Sequence, residues 1–259
     1  MPELPDLQVF SKNLNKELAG KKLQQLTVVV PKKLNVPEKQ LQEALVKQQL
    51  EEVKRVGKEL HFVFKNGHVL GLHLMLHGEL TFFEGEDLPK FTIIALQFDH
   101  GKGLALSDFQ KMATPTLDPE PSSAPDALSK EIDLDFLRKL LQSQKTSIKN
   151  ILLDQHLIRG IGNAYADEIL WDAGISPFSS APKIPDDKIK TLLQSIRATL
   201  KGAEAQLLKA HPEIISGEYR EFLKVHGPKI THSPTGAEVL VKKIGSRKTY
   251  YTAEQELYD

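Results

Sequence analysis

The sequence predicts an α+β fold: an N-terminal antiparallel β-sandwich with flanking helices, followed by a helical domain that ends in a β-hairpin. Two observations predict this order. Within residues 51–110, strand-like segments with alternating apolar and polar side chains are separated by turns such as Asn66-Gly67 and His100-Gly101, which is typical of hairpin-rich antiparallel sheets. Beyond residue 130 the apolar side chains recur every three or four positions, as they do in amphipathic helices.

In the N-terminal part, the first predicted helix begins at Pro5, because proline is favoured in the first helical turn. Leu7, Phe10, Leu14 and Leu18 then follow at three- and four-residue spacing. The other elements predicted here are a strand over residues 22–30, a helix over 38–48, and strands over 61–64, 68–74, 79–83, 91–98 and 103–106.

Residues 113–130 are predicted to be an interdomain linker. Prolines stand there among Ser, Thr and acidic residues, so we expect the segment neither to pair in a sheet nor to stay helical. The linker separates an N-terminal domain at 1–112 from a helical domain at 131–223 and a hairpin region at 224–259. Helices are predicted around residues 134–141, 148–152, 164–173 and 186–210, and hairpin strands over 238–244 and 248–252.

The composition is that of an ordinary globular protein and excludes some kinds of chemistry. The 259 residues are 40% apolar and 26% charged, and no apolar run is long enough to span a membrane. We expect a cytoplasmic protein without a membrane partner, since the N-terminus also lacks the form of a signal peptide. Without cysteine there is no disulfide, no thiolate nucleophile and no cysteine-ligated zinc.

The distribution of charge says more than its total, because 34 Lys and Arg balance 34 Asp and Glu. Residues 224–248 include six basic residues and one acid, whereas residues 113–135 include six acids and one lysine. A basic C-terminal segment on a neutral protein is a candidate contact for a polyanion such as nucleic acid. A solvated charged surface without a partner is the alternative.

The first residues hold a candidate nucleophile. If Met1 is removed, the chain begins with the secondary amine of Pro2, followed at once by the carboxylate of Glu3. An N-terminal amine titrates near pH 7.7 to 8.0, about two units below lysine, so a useful fraction is unprotonated at neutral pH. Such an amine can attack a carbonyl-like carbon and form an iminium. The alternative is an ordinary leader in front of a helix.

A glycine-containing turn between two predicted helices is a candidate phosphate site. Gly160 and Gly162 leave room for another backbone, and Asn163 is expected to cap the helix that starts at residue 164. Exposed amides at a helix N-terminus bind phosphate well, and Lys149 on the preceding helix would add charge. A common helical hairpin without a ligand is the alternative.

Five motifs occur in a fixed order along the chain. They are Pro2-Glu3-Leu4-Pro5, Gly57-Lys58, His73-Leu74 to Gly78, the run from Leu153-Asp154-Gln155 through Gly160-Ile161-Gly162-Asn163-Ala164-Tyr165-Ala166-Asp167-Glu168, and Ile244-Gly245-Ser246-Arg247-Lys248-Thr249. Together they closely resemble the formamidopyrimidine-DNA glycosylase and endonuclease VIII family over the whole chain. The resemblance implies an N-terminal catalytic β-sandwich, a helix–two-turn–helix domain and a β-hairpin finger.

The resemblance also implies a bifunctional enzyme of base excision repair that removes oxidised bases from DNA and then cleaves the abasic strand. By this resemblance Pro2 attacks the sugar and Glu3 supplies a proton to open its ring. Lys58 would contact phosphate and serve in β-elimination, and Arg247 would grip phosphate and assist δ-elimination. Asn163 and Lys149 would hold the bent DNA backbone.

The sequence departs from the family at the finger and at the residues that fill the gap left by an extruded base. His232, Thr235, Thr252 and Gln255 occupy the places of four zinc-ligating cysteines, so a metal-free finger is expected. Leu76 stands at the position of the usual wedge methionine. In the second gap-filling loop Gln110 replaces an arginine, Lys111 follows it, and Met112 stands for an aromatic residue unless Phe109 substitutes.

The expected partner is double-stranded DNA with an oxidised base or an abasic site, bound by a monomer without a cofactor. Two other functions remain open. The chain could bind damaged DNA without excising a base, which the altered gap-filling residues favour. It could also be a lyase restricted to abasic sites.

Overall fold

The computed structural model describes residues 1–259, and the chain divides into two compact units. The first, here the sheet unit, comprises residues 1–2, 6–121 and 207–218. The second, here the helical unit, comprises residues 3–5, 122–206 and 219–259. None of the helices is both long and apolar enough to cross a lipid bilayer.

The sheet unit contains two four-stranded antiparallel sheets. Their strand orders are β1-β6-β7-β5 and β2-β3-β4-β8. One apolar cluster draws buried residues from both sheets and from both helices, so the unit has a single main core. The elements are α1 (Leu4–Leu18), β1 (Leu23–Val28), α2 (Glu38–Leu45), β2 (Leu50–Val56), β3 (Glu59–Phe64), β4 (Val69–His73), β5 (Glu79–Glu84), β6 (Thr92–Phe98), β7 (Lys102–Ser107) and β8 (Thr114–Leu117).

Strand β8 corrects the predicted linker. Residues 114–117 pair with β4, and Pro115 lies opposite Leu72. Proline is tolerated there because β8 is an edge strand, where a missing backbone N–H can face away from the sheet. Strand β2 was not predicted, since its buried residues Leu50 and Val53 are three positions apart and do not alternate strictly.

The helical unit has four helices and one hairpin. They are α3 (Leu134–Ser143), α4 (Ile148–Leu153), α5 (Asn163–Asp172), α6 (Asp186–Ala210), β9 (Val239–Ile244) and β10 (Arg247–Thr252). A second apolar core joins the helices to Leu4, and a small cluster of Val225, Val239 and Tyr250 lies under the hairpin. Sheets first, helices second and a terminal hairpin confirm the predicted fold class.

Candidate active site

Glu3 binds the N-terminus of α5. Its side chain is 4% exposed, and Oε2 accepts the backbone N–H groups of Gly162 at 2.8 Å and Tyr165 at 3.2 Å. Oε1 accepts the N–H of Ala164 at 2.9 Å. These amides have no carbonyl partner within the helix, and the positive end of the helix dipole favours a carboxylate beside them. The amides therefore hold Glu3 in one orientation.

This contact corrects the expectation that Asn163 caps a helix starting at residue 164. Helix α5 begins one residue earlier, at Asn163, and its N-cap residue Gly162 makes no side-chain cap. The acceptor comes instead from Glu3, which is distant in sequence. A Cβ on Gly162 would lie 2.3 Å from Cδ of Glu3, so only glycine leaves room for this carboxylate.

The other glycine of the turn serves the neighbouring residue. Gly160 has φ +104°, and its carbonyl accepts the N–H of Leu4 at 3.1 Å. A Cβ on Gly160 would meet Cδ1 of Leu4 at 2.6 Å. The side chain of Gln155 closes the turn by accepting the N–H of Gly160 at 2.9 Å. The two glycines thus admit residues 3 and 4, which agrees with the expected close approach of another backbone.

Lys149, which the resemblance expects to hold the DNA backbone, is fully buried. Its Nζ lies 2.6 Å from Oδ1 of Asp167 and donates to Oγ1 of Thr249 at 2.8 Å. Burial lowers the pKa of Lys149, while the charges of Asp167 and Glu3 act in the opposite direction. Asp167 and Thr249 therefore hold the ammonium inside the protein.

Asn163 and Arg247 both belong to the region where α5 meets the hairpin. Nδ2 of Asn163 donates to the carbonyl of Lys248 at 2.9 Å. Arg247 is exposed and directly follows the two-residue turn Gly245-Ser246, in which Gly245 has φ +58°. The exposed basic residues of the hairpin are Lys242, Lys243, Arg247 and Lys248.

Polar contacts surround the positions that the resemblance pairs with zinc-ligating cysteines. Oγ1 of Thr235 donates to Glu254 at 2.7 Å, and the N–H of Thr252 donates to Oε1 of Gln255 at 2.8 Å. Gln255 in turn donates to the carbonyl of Ile175 at 2.8 Å. The structure contains no group of three or more His, Cys, Asp or Glu side chains that could hold a metal ion.

In the sheet unit, Lys58 lies in the two-residue turn between β2 and β3. Gly57 precedes it with φ +59°, a value that glycine adopts readily at the first position of such a hairpin turn. Pro2 belongs to the same unit and is buried. With Met1 attached, the Pro2 nitrogen is part of a peptide bond, and the Met1 amine is paired with Glu218.

His73 lies close enough to Lys58 for the two charges to interact. Burial lowers the pKa of His73, the charge of Glu59 raises it, and the charge of Lys58 lowers it. Nδ1 of His73 accepts the N–H of Met75 at 3.0 Å, so the ring proton of the neutral form is on Nε2. This bond holds the start of the turn that carries Leu76, which is 60% exposed.

The second segment expected to fill the gap left by an extruded base forms a loop at residues 108–113. Phe109 is 56% exposed, and its ring centroid is 4.8 Å from that of His77, two positions from Met75. Met112 is also exposed, as are Gln110 and Lys111. Leu76, Phe109 and Met112 are therefore available as apolar wedges, and Gln110 and Lys111 as polar contacts.

Asp108 organises this loop. Its carboxylate is buried and accepts the backbone N–H groups of Gln110, Met112 and Ala113, each at 2.8 Å. Burial raises the pKa of Asp108, but these three bonds outweigh burial, and the net pKa is lowered.

Sequence reasoning did not assign roles to two acids of α5. Oδ2 of Asp167 accepts Nδ1–H of His226 at 2.7 Å and the N–H of Tyr250 at 3.0 Å. Glu168 accepts the N–H groups of three consecutive residues, 224–226. Two adjacent acids in an otherwise apolar helix could have predicted these contacts, because buried carboxylates need hydrogen-bond donors.

Comparisons with known proteins agree with this architecture. Residues 1–114 match the formamidopyrimidine-DNA glycosylase N-terminal domain, and residues 123–208 match the formamidopyrimidine-DNA glycosylase H2TH domain. The formamidopyrimidine-DNA glycosylase of Pelotomaculum thermopropionicum is 32% identical, with 97% of each chain covered. That of Brevibacillus brevis is 30% identical over 96% of this chain and 97% of the relative.

Two solved structures are similar over nearly the whole chain. A complex of Lactococcus lactis Fpg with DNA containing an abasic site has a TM-score of 0.88 at 25% identity, covering 98% of this chain and 100% of the other. A complex of MutM with DNA containing carbocyclic 8-oxo-G has a TM-score of 0.87 at 26% identity, covering 97% and 98%. With 32% identity to a relative over 97% of both chains, this protein belongs to the formamidopyrimidine-DNA glycosylase family.

Proposed function

We propose that the protein is a DNA glycosylase of base excision repair that removes oxidised bases and cleaves the resulting abasic strand through its N-terminal proline. The observation that carries the proposal is the Glu3 carboxylate, buried against the first amides of α5 next in sequence to Pro2. Membership of the family adds support, as do the relatives solved with abasic-site and 8-oxo-G DNA.

In the proposed reaction the Pro2 nitrogen forms a bond to C1′ of the deoxyribose. The C1′–N bond to the base breaks, and the base leaves with the electron pair and takes up a proton from water. The proton that the Pro2 nitrogen loses on attack passes to the Glu3 carboxylate and from there to the ring oxygen O4′, so that the C1′–O4′ bond breaks, the sugar ring opens and an iminium remains between Pro2 and C1′. The fixed orientation of Glu3 would direct that proton without a search among rotamers.

Strand cleavage then follows from the same intermediate. The iminium draws electrons from C2′, so a C2′ proton is lost and the C3′–O bond breaks with release of phosphate. Loss of a C4′ proton and of the 5′ phosphate completes δ-elimination. In this proposal Lys58 assists the first elimination and Arg247 the second, each through a DNA phosphate.

Borohydride trapping on a duplex with an abasic site tests the covalent step. Protein whose intact mass shows loss of Met1 should form a stable adduct, because hydride reduces the iminium to an amine that no longer hydrolyses. Pro2→Gly should trap sharply less, since its primary amine is the poorer replacement, while protein that retains Met1 should not trap at all. Full trapping by the Met1-retaining form would mean that another amine is the nucleophile.

A panel of duplexes with oxidised purines, oxidised pyrimidines and a preformed abasic site separates the alternatives. Base release from a lesion duplex supports the proposed glycosylase. Cleavage of the abasic duplex alone would favour the restricted lyase, and tight binding without either reaction would favour a binding protein. The family usually has an arginine at the position of Gln110, and that arginine contacts the base opposite the lesion. The same panel should therefore vary the base opposite the lesion.

A further inference from the structure

Strand β10 has a neighbouring strand on one edge only, yet its other edge is not left open. In a hairpin closed by a two-residue turn, alternate residues point their backbone N–H and C=O groups away from the partner strand. Lys243–Lys248 and Val241–Tyr250 are such outward pairs, because Ile244–Arg247 closes the turn. The C=O of Lys248 and the N–H of Tyr250 therefore need partners beyond β9.

Side chains of α4 and α5 supply those partners, where a third strand would otherwise be needed. Nδ2 of Asn163 and Nζ of Lys149 donate to the Lys248 carbonyl at 2.9 and 3.4 Å. Oδ2 of Asp167 accepts the Tyr250 N–H at 3.0 Å. Lys149 also reaches Oγ1 of Thr249, the residue between them. We call the set of Lys149 from α4 and Asn163 and Asp167 from α5 the clamp.

The clamp is rigid because its charged members cannot relax toward water. Lys149 and Asp167 are both 0% exposed and lie 2.6 Å apart, and His226 donates to the other oxygen of Asp167. A buried ion pair tolerates little change in geometry, since moving either partner leaves an uncompensated charge. The chain has no cysteine with which a metal could cross-link the finger. The clamp is thus a direct polar attachment of β10 to α4 and α5.

We propose that Lys149 and Asp167 are positioning residues that set the place of Arg247. The clamped carbonyl belongs to Lys248, one residue after Arg247, and the clamp begins at Asn163, one residue after the Gly162 amide that binds Glu3. One short chain of contacts thus ties the proposed proton donor to the proposed phosphate-binding arginine. This inference rests on the proposed function, in which Arg247 acts on DNA phosphate.

The test compares single-turnover cleavage of an abasic-site duplex by Lys149→Met, Arg247→Ala and the double variant. Lys149→Met should slow δ-elimination on the order of 10²-fold, as a misplaced catalytic group does. Because Lys149 acts through Arg247, the double variant should be no slower than Arg247→Ala. Rate losses that multiply in the double variant, or full activity of Lys149→Met, would overturn the proposal.

Thr249 offers a milder and matched pair of variants in case Lys149→Met does not fold. Thr249→Val keeps the shape and loses the oxygen that Lys149 binds, so it should shift product from δ- toward β-elimination, and Thr249→Ser should restore the wild-type ratio. Hydrogen exchange at the Tyr250 amide measures, without DNA, whether the clamp still protects this N–H. The exchange rate should rise in Thr249→Val only. An unchanged exchange rate would refute the clamp, whereas wild-type δ-elimination by Arg247→Ala would refute the proposed role of that arginine.

Discussion

The carboxylate of Glu3 is bound by three backbone amides, and this has consequences for the residues around it. A glutamate from a distant part of the chain can cap a helix only if no side chain occupies the space beside the first helical amides. Gly162 leaves that space empty. The φ of Gly162 is −121°, which any residue can adopt, so its requirement for glycine is one of room and not of backbone conformation.

Gly162→Ala should therefore displace Glu3 and reduce both stability and base excision. The added methyl overlaps Cδ of Glu3, and overpacking of this kind costs roughly 1–3 kcal/mol in the free energy of unfolding. Gly202→Ala is the matched control, since Gly202 lies within α6 with nothing within 4 Å of a Cβ. That variant should be neutral or about 0.5–1 kcal/mol more stable. Urea melts and base-release rates measure both effects, and equal behaviour of the two alanines would rule out the steric argument.

Single residues were also where sequence reasoning reached its limit. Lys149 was expected to add charge at a phosphate site, whereas Asp167, 18 residues later, and Thr249 hold it inside the protein. Asn163 was expected as a cap because asparagine favours that place, but an acceptor from residue 3 took it. In both cases a partner that is distant in sequence determines the contacts of the residue.

At the scale of elements, the loop at 108–113 depends on one buried acid. Asp108→Ala removes three hydrogen bonds to a charged acceptor and should lower the free energy of unfolding by about 2 kcal/mol. The loop carries Gln110, Lys111 and Met112, so discrimination between bases opposite an abasic site should weaken as well. Denaturant melts of the variant and of wild type, with binding to four abasic duplexes, measure these effects. Unaltered discrimination would separate the loop from opposite-base recognition.

The sign of the pH dependence follows from the lowered pKa of Asp108. Between the folded pKa and the unfolded value near 3.9, the unfolded chain binds the extra proton, so stability rises with pH in that range. The stabilisation by Asp108 is fully present above about pH 4 and is lost as pH falls through the folded pKa. The stability gap between wild type and Asp108→Ala should accordingly be constant from pH 5 to 7 and shrink at pH 3.

Elements whose apolar residues recur at a regular spacing could be predicted from the sequence. Elements that depend on pairing with a distant strand could not. Helix α6 has the predicted bounds because 25 residues of regular apolar spacing outweigh any tertiary effect. Strand β8 was missed because its prolines forbid a central strand, while nothing local shows that an edge is free beside β4. Strand β2 was missed for lack of alternation.

At the scale of the whole molecule, the division into units does not follow the order of the chain. Residues 3–5 group with the helical unit, and residues 207–218 group with the sheet unit. No local pattern announces this exchange of segments, since it depends on which core each segment enters. The predicted boundaries therefore describe the order of the elements better than they describe the compact units.

Charge is the other property of the whole molecule that bears on function. A chain with no net charge can bind DNA only if its cations are gathered, and four exposed basic residues lie on the hairpin. Each phosphate neutralised by a cation releases counterions, so the logarithm of the binding constant falls linearly with that of salt concentration. The slope of this line therefore gives the number of phosphate contacts, whatever their geometry.

Arg247→Ala and Lys58→Ala should each make that slope shallower by roughly one unit, because each variant removes one proposed phosphate contact. Lys201→Ala removes the same charge from an exposed position on α6 and serves as the control; its slope should equal that of wild type. Binding of an uncleavable abasic-site duplex, measured from low to moderate salt, gives all four slopes. If Lys201→Ala changed the slope as much as Arg247→Ala does, the effect would come from total charge, and the hairpin would lose its claim to a specific contact.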